Sequence, residues 1–413
     1  MADIALISHQ GFAAVNFRKT LIQLLIAKGH TVYVLAPDYK AEEMQAIRSF
    51  GATPIHYFLN RAGINPIADL IATLRLLELL RKLKVDASFS FSVKPVIFGS
   101  IAAYFAGVRS IVCMVEGLGY IFTDEAGVKY PSTLPPRESM LAWCARRGQW
   151  IYAGWKHTHR SLLKALVKNL YKMSMRLAGR VIFLNPDDME YFIYSGIVEP
   201  GKCLNLGGIG VDLNEWAVVP ISLEPVSFIM VARLLREKGV YEYIDAIRLL
   251  RPQYPSIRCY LVGSTDLNPG SIHAATLQEW ITAGFVECPG HVEVRPWIER
   301  SSVFVLPSYR EGVPRSTQEA MAMGRPVITT DAPGCRETVI ENENGFLIPV
   351  GDAYALAAAM RKFIENPAII SKMGARSREI AEVRFDVVDK DAILLAQLLP
   401  LQMTTDVAET PGS

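Results

Sequence analysis

Long apolar runs, paired cysteines and an excess of one charge are all missing from this sequence. The uncharged run PVIFGSIAAYFAGV, Pro95–Val108, begins with proline and contains glycines. It falls short of the ~18–20 residues a membrane span needs, so it reads as a core helix. The N-terminus, MADIALISHQ, has no basic region and reads as a strand rather than a signal peptide. Six cysteines (Cys113, Cys144, Cys203, Cys259, Cys288 and Cys335) are scattered, with no CxxC and no Cys/His spacing suited to a metal. That pattern suits buried thiols in a reducing compartment and argues against zinc. Net charge is only +2 over 413 residues, so no overall field points to nucleic acid. No short-period repeat or low-complexity tract interrupts the chain, and its tail, TTDVAETPGS, reads as frayed.

What is present is an alternation of strand and helix. Half of the residues are apolar, ample for two cores. DIALIS, HTVYVLAP, ATPIHYFL, DASFSFS and SIVCMVEG read as strands, separated by the helical stretches FRKTLIQLLIAKG, AEEMQAIRSFG and NPIADLIATLRLLELLRKLK. After about residue 220 the pattern restarts with VSFIMVA, IRCYLVGS, SSVFVLPS and RPVITTD as strands. Continuous apolar strands between helices indicate parallel sheets covered on both faces. The fold class expected is α/β, with two Rossmann-like, doubly wound domains facing across a cleft. Their expected bounds are 1–218 and 219–385, with a C-terminal helix and tail, 386–413, that crosses back to the first domain. Ligands in such sheets sit beyond the carboxyl ends of the strands.

The stretch YREGVPRSTQEAMAMGRP, Tyr309–Pro326, follows one such strand. Pro314 suits the first helical position, which leaves the amides of Arg315 and Ser316 as unpaired donors for an anion. Glu311 precedes the helix and Glu319 lies inside it. Their separation, about 12 Å if helical, exceeds the roughly 5–9.5 Å of a glycosidase carboxylate pair. They read instead as two hydroxyl acceptors on either side of a phosphate, the shape of a nucleotide-sugar. Earlier, VARLLREKG places Arg233 and Lys238 after a strand, as cations for a diphosphate or as solvated surface charge.

RLLREKG and EGVPRSTQEAMAMGRPVI together resemble the donor-site signature of glycosyltransferase family 4, whose fold is GT-B, and PGCRETVIENENGFLIP resembles the segment that follows it. The resemblance implies that Arg233 and Lys238 bind the donor diphosphate, Glu311 the sugar hydroxyls and Glu319 the ribose. It implies that Gly312, Val313, Arg315, Ser316 and Thr317 contact sugar and phosphates, and that CPGHVE, with His291 and Val292, holds the base. Gly11 stands where relatives often have two glycines, and would let the loop approach the donor. Glu116, in CMVEGLGYIF, stands where many relatives have a histidine. VEGLG and LNRAGINP are similar to a branch of bacterial N-acetylgalactosaminyltransferases that extend undecaprenyl-diphosphate-linked sugars. On this resemblance Glu116, Arg233, Lys238 and Glu311 are the candidate catalytic residues.

Between Val128 and Arg180, Glu138 is the one acid among eleven Lys and Arg, and Trp143, Trp150, Tyr152 and Trp155 lie in the same stretch. From Lys156 to Arg180 a cation recurs every fourth residue. A basic amphipathic segment with interfacial aromatics reads as a membrane-surface element or as a clamp for an acceptor diphosphate. Arg18, Arg61, Lys94, Lys164 and Lys168 are the acceptor-binding candidates, Arg18 being placed at the start of a helix. The expectation is a retaining, metal-independent transferase without cofactor. It would use a UDP-sugar and a polyprenyl-diphosphate-linked saccharide at the inner face of the bacterial inner membrane. The alternatives are a UDP-sugar 2-epimerase on the same fold and a non-catalytic lipid-surface scaffold.

Overall fold

The computed structural model describes residues 1–60, 65–117, 165–265, 268 and 270–399. Seven strands build the first sheet: β1 (Asp3–Ile7), β2 (Thr31–Ala36), β3 (Thr53–His56), β4 (Ala87–Phe91), β5 (Ser110–Val115), β6 (Arg180–Phe183) and β7 (Cys203–Asn205). Their order is β3-β2-β1-β4-β5-β6-β7, with every pairing parallel. The interior strand β1 shows why the sequence is continuously apolar. Ile4 and Leu6 join one buried cluster with Leu21, Ile22 and Leu25, whereas Ala5 and Ile7 join another with Leu76 and Leu80. Successive side chains point to opposite faces, and helices cover both.

Those helices are α1 (Gly11–Ala27), α2 (Ala41–Ser49), α3 (Pro66–Leu83), α4 (Ser100–Ala106), α5 over residues 165–177, and α6 (Pro186–Tyr194). Asn65 caps α3 by accepting from the Ala68 amide at 3.1 Å, Pro66 takes the first helical position, and the chain leaves at Lys84 with φ 54°. The run Pro95–Val108 forms a π turn, Pro95–Gly99, that continues into α4. Most of the basic stretch Val128–Arg180 lies outside the described residues. Its described part, α5, buries Val167, Tyr171 and Met175 in the core of the first domain.

The second sheet takes β8 (Ser227–Val231), β9 (Arg258–Val262), β10 (Glu287–Gly290), β11 (Val303–Leu306), β12 (Val327–Thr330) and β13 (Gly345–Ile348), in the parallel order β10-β9-β8-β11-β12-β13. Around it lie α7 (Val240–Leu250), α8 (Ala274–Thr282), α9 (Arg295–Glu299), α10 (Arg315–Ala322), α11 (Ala353–Glu365) and α12 (Ala368–Arg384). A last helix, α13 (Val387–Leu398), packs on α1 of the first domain. The crossing is fixed where Val211 donates to Phe385 O at 2.9 Å and Val387 donates to Val211 O at 3.1 Å. Among the described residues no helix is long and apolar enough to cross a membrane.

Candidate active site

The carboxyl ends of the two sheets meet across a cavity of about 270 Å³. Loops of the second domain supply Arg233, Glu237, Lys238, Asn268, Arg310, Glu311 and Gly312; the first domain supplies Ser92, Val93, Val96, Val115, Glu116, Gly117 and Tyr171.

On the second-domain wall, Lys238 ends a 3-10 turn, Arg236–Lys238, after β8. Gly239 follows with φ 78°, and a Cβ there would stand 2.2 Å from Pro307 O. Only glycine permits the Lys238 loop to lie this close to the loop after β11. The Lys238 ammonium donates to Glu311 Oε1 at 2.5 Å, and Ser308 Oγ donates to the same oxygen at 2.7 Å. The carboxylate is thus held beside an exposed arginine, Arg233.

Helix α10 begins immediately after this loop, with Pro314 as its cap residue rather than its first helical residue. Its first-turn amides have no acceptor within the helix. Glu319 accepts from Arg315 Nε at 2.8 Å. Burial pushes the Glu319 carboxyl up, and Arg315 opposes that shift. Arg315 also reaches the first domain, donating to Asn16 O at 2.7 Å with its guanidinium 4.9 Å from the Phe17 ring. Ser316 Oγ donates to Val231 O at 3.0 Å, Val313 and Thr317 are buried, and buried Thr317 Oγ1 has no hydrogen-bond partner among the described residues. Of this segment Arg310, Glu311 and Gly312 line the cavity, whereas Val313, Arg315, Ser316, Thr317 and Glu319 are not among its lining residues. His291 and Val292 are exposed, and the His291 ring is 6.0 Å from that of Phe12 in the first domain.

On the opposite wall Glu116 directly follows β5. Its Oε1 accepts from Arg18 at 2.7 Å and its Oε2 from Ser92 Oγ at 2.8 Å. Ser92 adopts φ 73°, a left-handed conformation unusual for a residue other than glycine. The strain aims its hydroxyl at the carboxylate. Each oxygen keeps a second lone pair, so Glu116 can still accept from a substrate while Arg18 and Ser92 hold it.

Three of the expected site residues already have partners within their own domain. Arg18 lies in the middle of α1, not at its start, and is 1% exposed. Its guanidinium sits 4.7 Å from the Phe91 ring and pairs with Glu116, so it cannot meet an acceptor phosphate without breaking that pair. Lys94 is likewise engaged, donating to Asp69 Oδ1 at 2.8 Å and to Asn60 O at 2.7 Å. Gly11 starts α1 outside the cavity, and its amide donates to Asp38 at 2.9 Å. A Cβ at Gly11 would meet Glu43 at 2.4 Å and Tyr39 at 2.6 Å, so the glycine serves the packing of α2. Lys168, on α5, is half-buried. Arg61 and Lys164 lie outside the described residues.

The sequence reading missed Ser92, Arg310 and the start of α6. Asn185 is buried and caps α6, accepting from the Asp188 amide at 2.8 Å. Its Nδ2 donates across the cleft to Gly312 O at 2.6 Å. Arg310 pairs with Asp188, and Arg336 with Asp187 at 2.9 Å. Burial pushes the Asp188 carboxyl up, and Arg310 pulls it back. NPDD is legible as a helix start, with an Asn cap, Pro at the first position and acids in the first turn. Nothing local reveals that it grips the opposite domain.

Residues 225–366 match the family model described as glycosyl transferases group 1. The N,N'-diacetylbacillosaminyl-diphospho-undecaprenol alpha-1,3-N-acetylgalactosaminyltransferase of Campylobacter jejuni is 26% identical over 409 residues, covering 95% of this chain and 96% of that protein. The capsular polysaccharide biosynthesis glycosyltransferase CapM of Staphylococcus aureus is 24% identical over 365 residues, 88% of each chain. Among solved structures, Anabaena HepE in complex with UDP and glucose superposes with a TM-score of 0.70 at 17% identity, covering 96% of this chain and 99% of that one. At that identity the likeness is one of fold.

Proposed function

We propose that this chain, whose residues 225–366 match the group 1 glycosyl transferases and whose fold is GT-B, is a retaining transferase in bacterial surface-glycan assembly. It moves N-acetylgalactosamine, or another N-acetylhexosamine, from a UDP-sugar to a polyprenyl-diphosphate-linked saccharide at the cytoplasmic face of the inner membrane. The observation that carries the reading is the interdomain cavity, where Lys238 and Arg233 stand beside Glu311 on one wall and Glu116 lines the other. The full-length similarity to the Campylobacter transferase supports the choice of donor and acceptor.

In this reading the donor diphosphate lies against Arg233, Lys238 and the amides of α10, which stabilise the charge that grows on it as the sugar departs. These fixed cations do the work for which other transferases use a metal. Glu311, already oriented by Lys238 and Ser308, accepts from sugar hydroxyls, and Glu319 from the ribose. The bond from the anomeric carbon to the diphosphate oxygen breaks, and a bond to the acceptor oxygen forms on the same face. The acceptor hydroxyl proton passes to the departing diphosphate, the nearest base on that face. Glu116, whose two oxygens already accept from Arg18 and Ser92, orients the acceptor side and keeps its own bonds. The closed cleft excludes water that would hydrolyse the donor.

The test is product mass after incubation with a panel of UDP-sugars, with and without a polyprenyl-diphosphate saccharide. Addition of one N-acetylhexosamine to the acceptor is expected. An epimerised UDP-sugar formed without acceptor would point to the epimerase, and no turnover with any donor would point to a scaffold.

A further inference from the structure

We propose that the first two turns of α3 form the membrane-docking face of this protein, entering the headgroup boundary of an anionic bilayer. On α3 the residues Ile67, Leu70, Ile71 and Leu74 follow helical spacing, yet they point away from the core. Ile67 is 72% exposed, Leu70 59% and Leu74 55%. Phe58 is exposed beside them, with the Arg75 guanidinium 5.2 Å from its ring. A ridge of this kind on water-facing helix surface marks an interaction site.

The composition of the ridge identifies its occupant. Past Leu74 the same exposed face turns cationic, with Arg75, Arg81, Lys82 and Lys84 against the single acid Glu78. At that end two exposed aromatics, Tyr104 and Phe105 of α4, lie alongside, and Arg81 donates to Phe105 O at 2.7 Å. Apolar side chains at one end, aromatics and cations at the other, match the layers of a bilayer surface: acyl boundary, then interface, then phosphate. The spacing i, i+3, i+4, i+7 is also that of a helix laid in a protein groove; the adjoining cations and aromatics are what assign this ridge to lipid. The charge is complementary to anionic lipid.

The ridge also stands next to the reaction. Asp69, on the buried side of the same two turns, holds Lys94, and Ser92 and Val93 just before it line the cavity. Docking on α3 therefore brings the cavity to the lipid surface where a polyprenyl-linked acceptor lies. This last step rests on the function proposed above, whereas docking itself does not.

The experiment is flotation of the full chain with vesicles of phosphatidylethanolamine and phosphatidylglycerol, without donor or acceptor. Leu70→Gln/Leu74→Gln replaces exposed leucines by another good helix former, so the fold is expected to persist. Vesicle affinity is expected to fall about tenfold or more, while Tyr354→Gln, an exposed site on the second domain, leaves it unchanged. Transfer to a water-soluble short-chain acceptor is expected to be unchanged in the double variant. The inference is overturned if the unsubstituted chain does not float, if the double variant floats as well as the unsubstituted chain, or if its effect is to dissociate a dimer without loss of flotation. A chain that floats through α3 but transfers no sugar supports the docking face and overturns the transferase reading instead.

Discussion

Glu311 and Glu116 both line the cleft, and each is held by donors from its own domain. Their neighbours differ in what they can do for a substrate. Lys238 is 17% exposed and lies on the cavity wall, so a diphosphate can share its ammonium with Glu311. Arg18 is buried behind Glu116 and serves that carboxylate alone among the described side-chain acids paired with it. Lys238→Ala is therefore expected to lower kcat/KM for the UDP-sugar by roughly 10²–10³-fold, as for loss of one transition-state donor, and to lower the melting temperature while the fold persists, because it leaves the largely buried Glu311 carboxylate without its ammonium partner. Steady-state kinetics with a thermal melt checks both halves. Glu116→Gln is expected to act on stability as well as rate, because it strands the Arg18 guanidinium in an apolar site. A loss of about 2–3 kcal/mol is expected, below the range for a fully buried pair because Glu116 is 27% exposed. Urea unfolding measures it; undiminished stability would remove the anchoring role given to Glu116.

At the scale of elements, the termini of short helices set the site. Helix α10 presents its amides behind Gly312, and the start of α6 holds the backbone of Glu311 and Gly312 through Asn185. Helix α13 belongs by sequence to the end of the second domain but supports the first, placing Asp391 near Arg18. Burial pushes the Asp391 carboxyl up to about 6, against the opposing pull of Thr20 and Arg18, and its Oδ2 has no hydrogen-bond partner among the described residues. A carboxyl whose folded pKa lies above its unfolded value, about 3.9, binds its proton more tightly when folded. It costs stability above the folded pKa, and that cost disappears as pH falls from about 6 to about 4. Asp391→Asn is accordingly expected to stabilise the chain at pH 7.5, with the gain shrinking to nothing near pH 4. Chemical denaturation across that range checks the sign and the window.

For the whole molecule, the decisive contact is the meeting of two backbones. A Cβ on Gly312 would lie 2.0 Å from Glu116 O of the first domain. The domains approach to this distance because glycine leaves room, and Asn185–Gly312, Arg310–Asp188 and Arg336–Asp187 bridge them. Gly312→Ala is expected to prop the cleft open while leaving both sheets intact. Small-angle scattering would show a larger radius of gyration, circular dichroism an unchanged spectrum, and assays a loss of transfer. An unaltered scattering profile would mean that closure does not depend on this contact.

Much of the architecture was legible because it depends on local pattern. Continuous apolar runs such as DIALIS and SIVCMVEG become the interior strands β1 and β5, buried on both faces. Strands β6, β7, β10 and β13 were not read, although β3, β11 and β12, of four residues each, were; strands this short take their identity from a neighbour rather than from their own period. The site divides in the same way. Glu311, Arg233, Lys238 and Glu116 were legible because they follow strands, and a parallel sheet delivers whatever follows its strands to the cleft. Arg18 and Lys94 look in sequence like free cations. Their partners, Glu116 and Asp69, lie far along the chain, and so do those of Asn185 and Arg310. The chain by itself thus determined which groups arrive at the cleft. Only the packed structure decided which charges remain available there, because burial and pairing between distant residues settle that, and neither is written in local spacing.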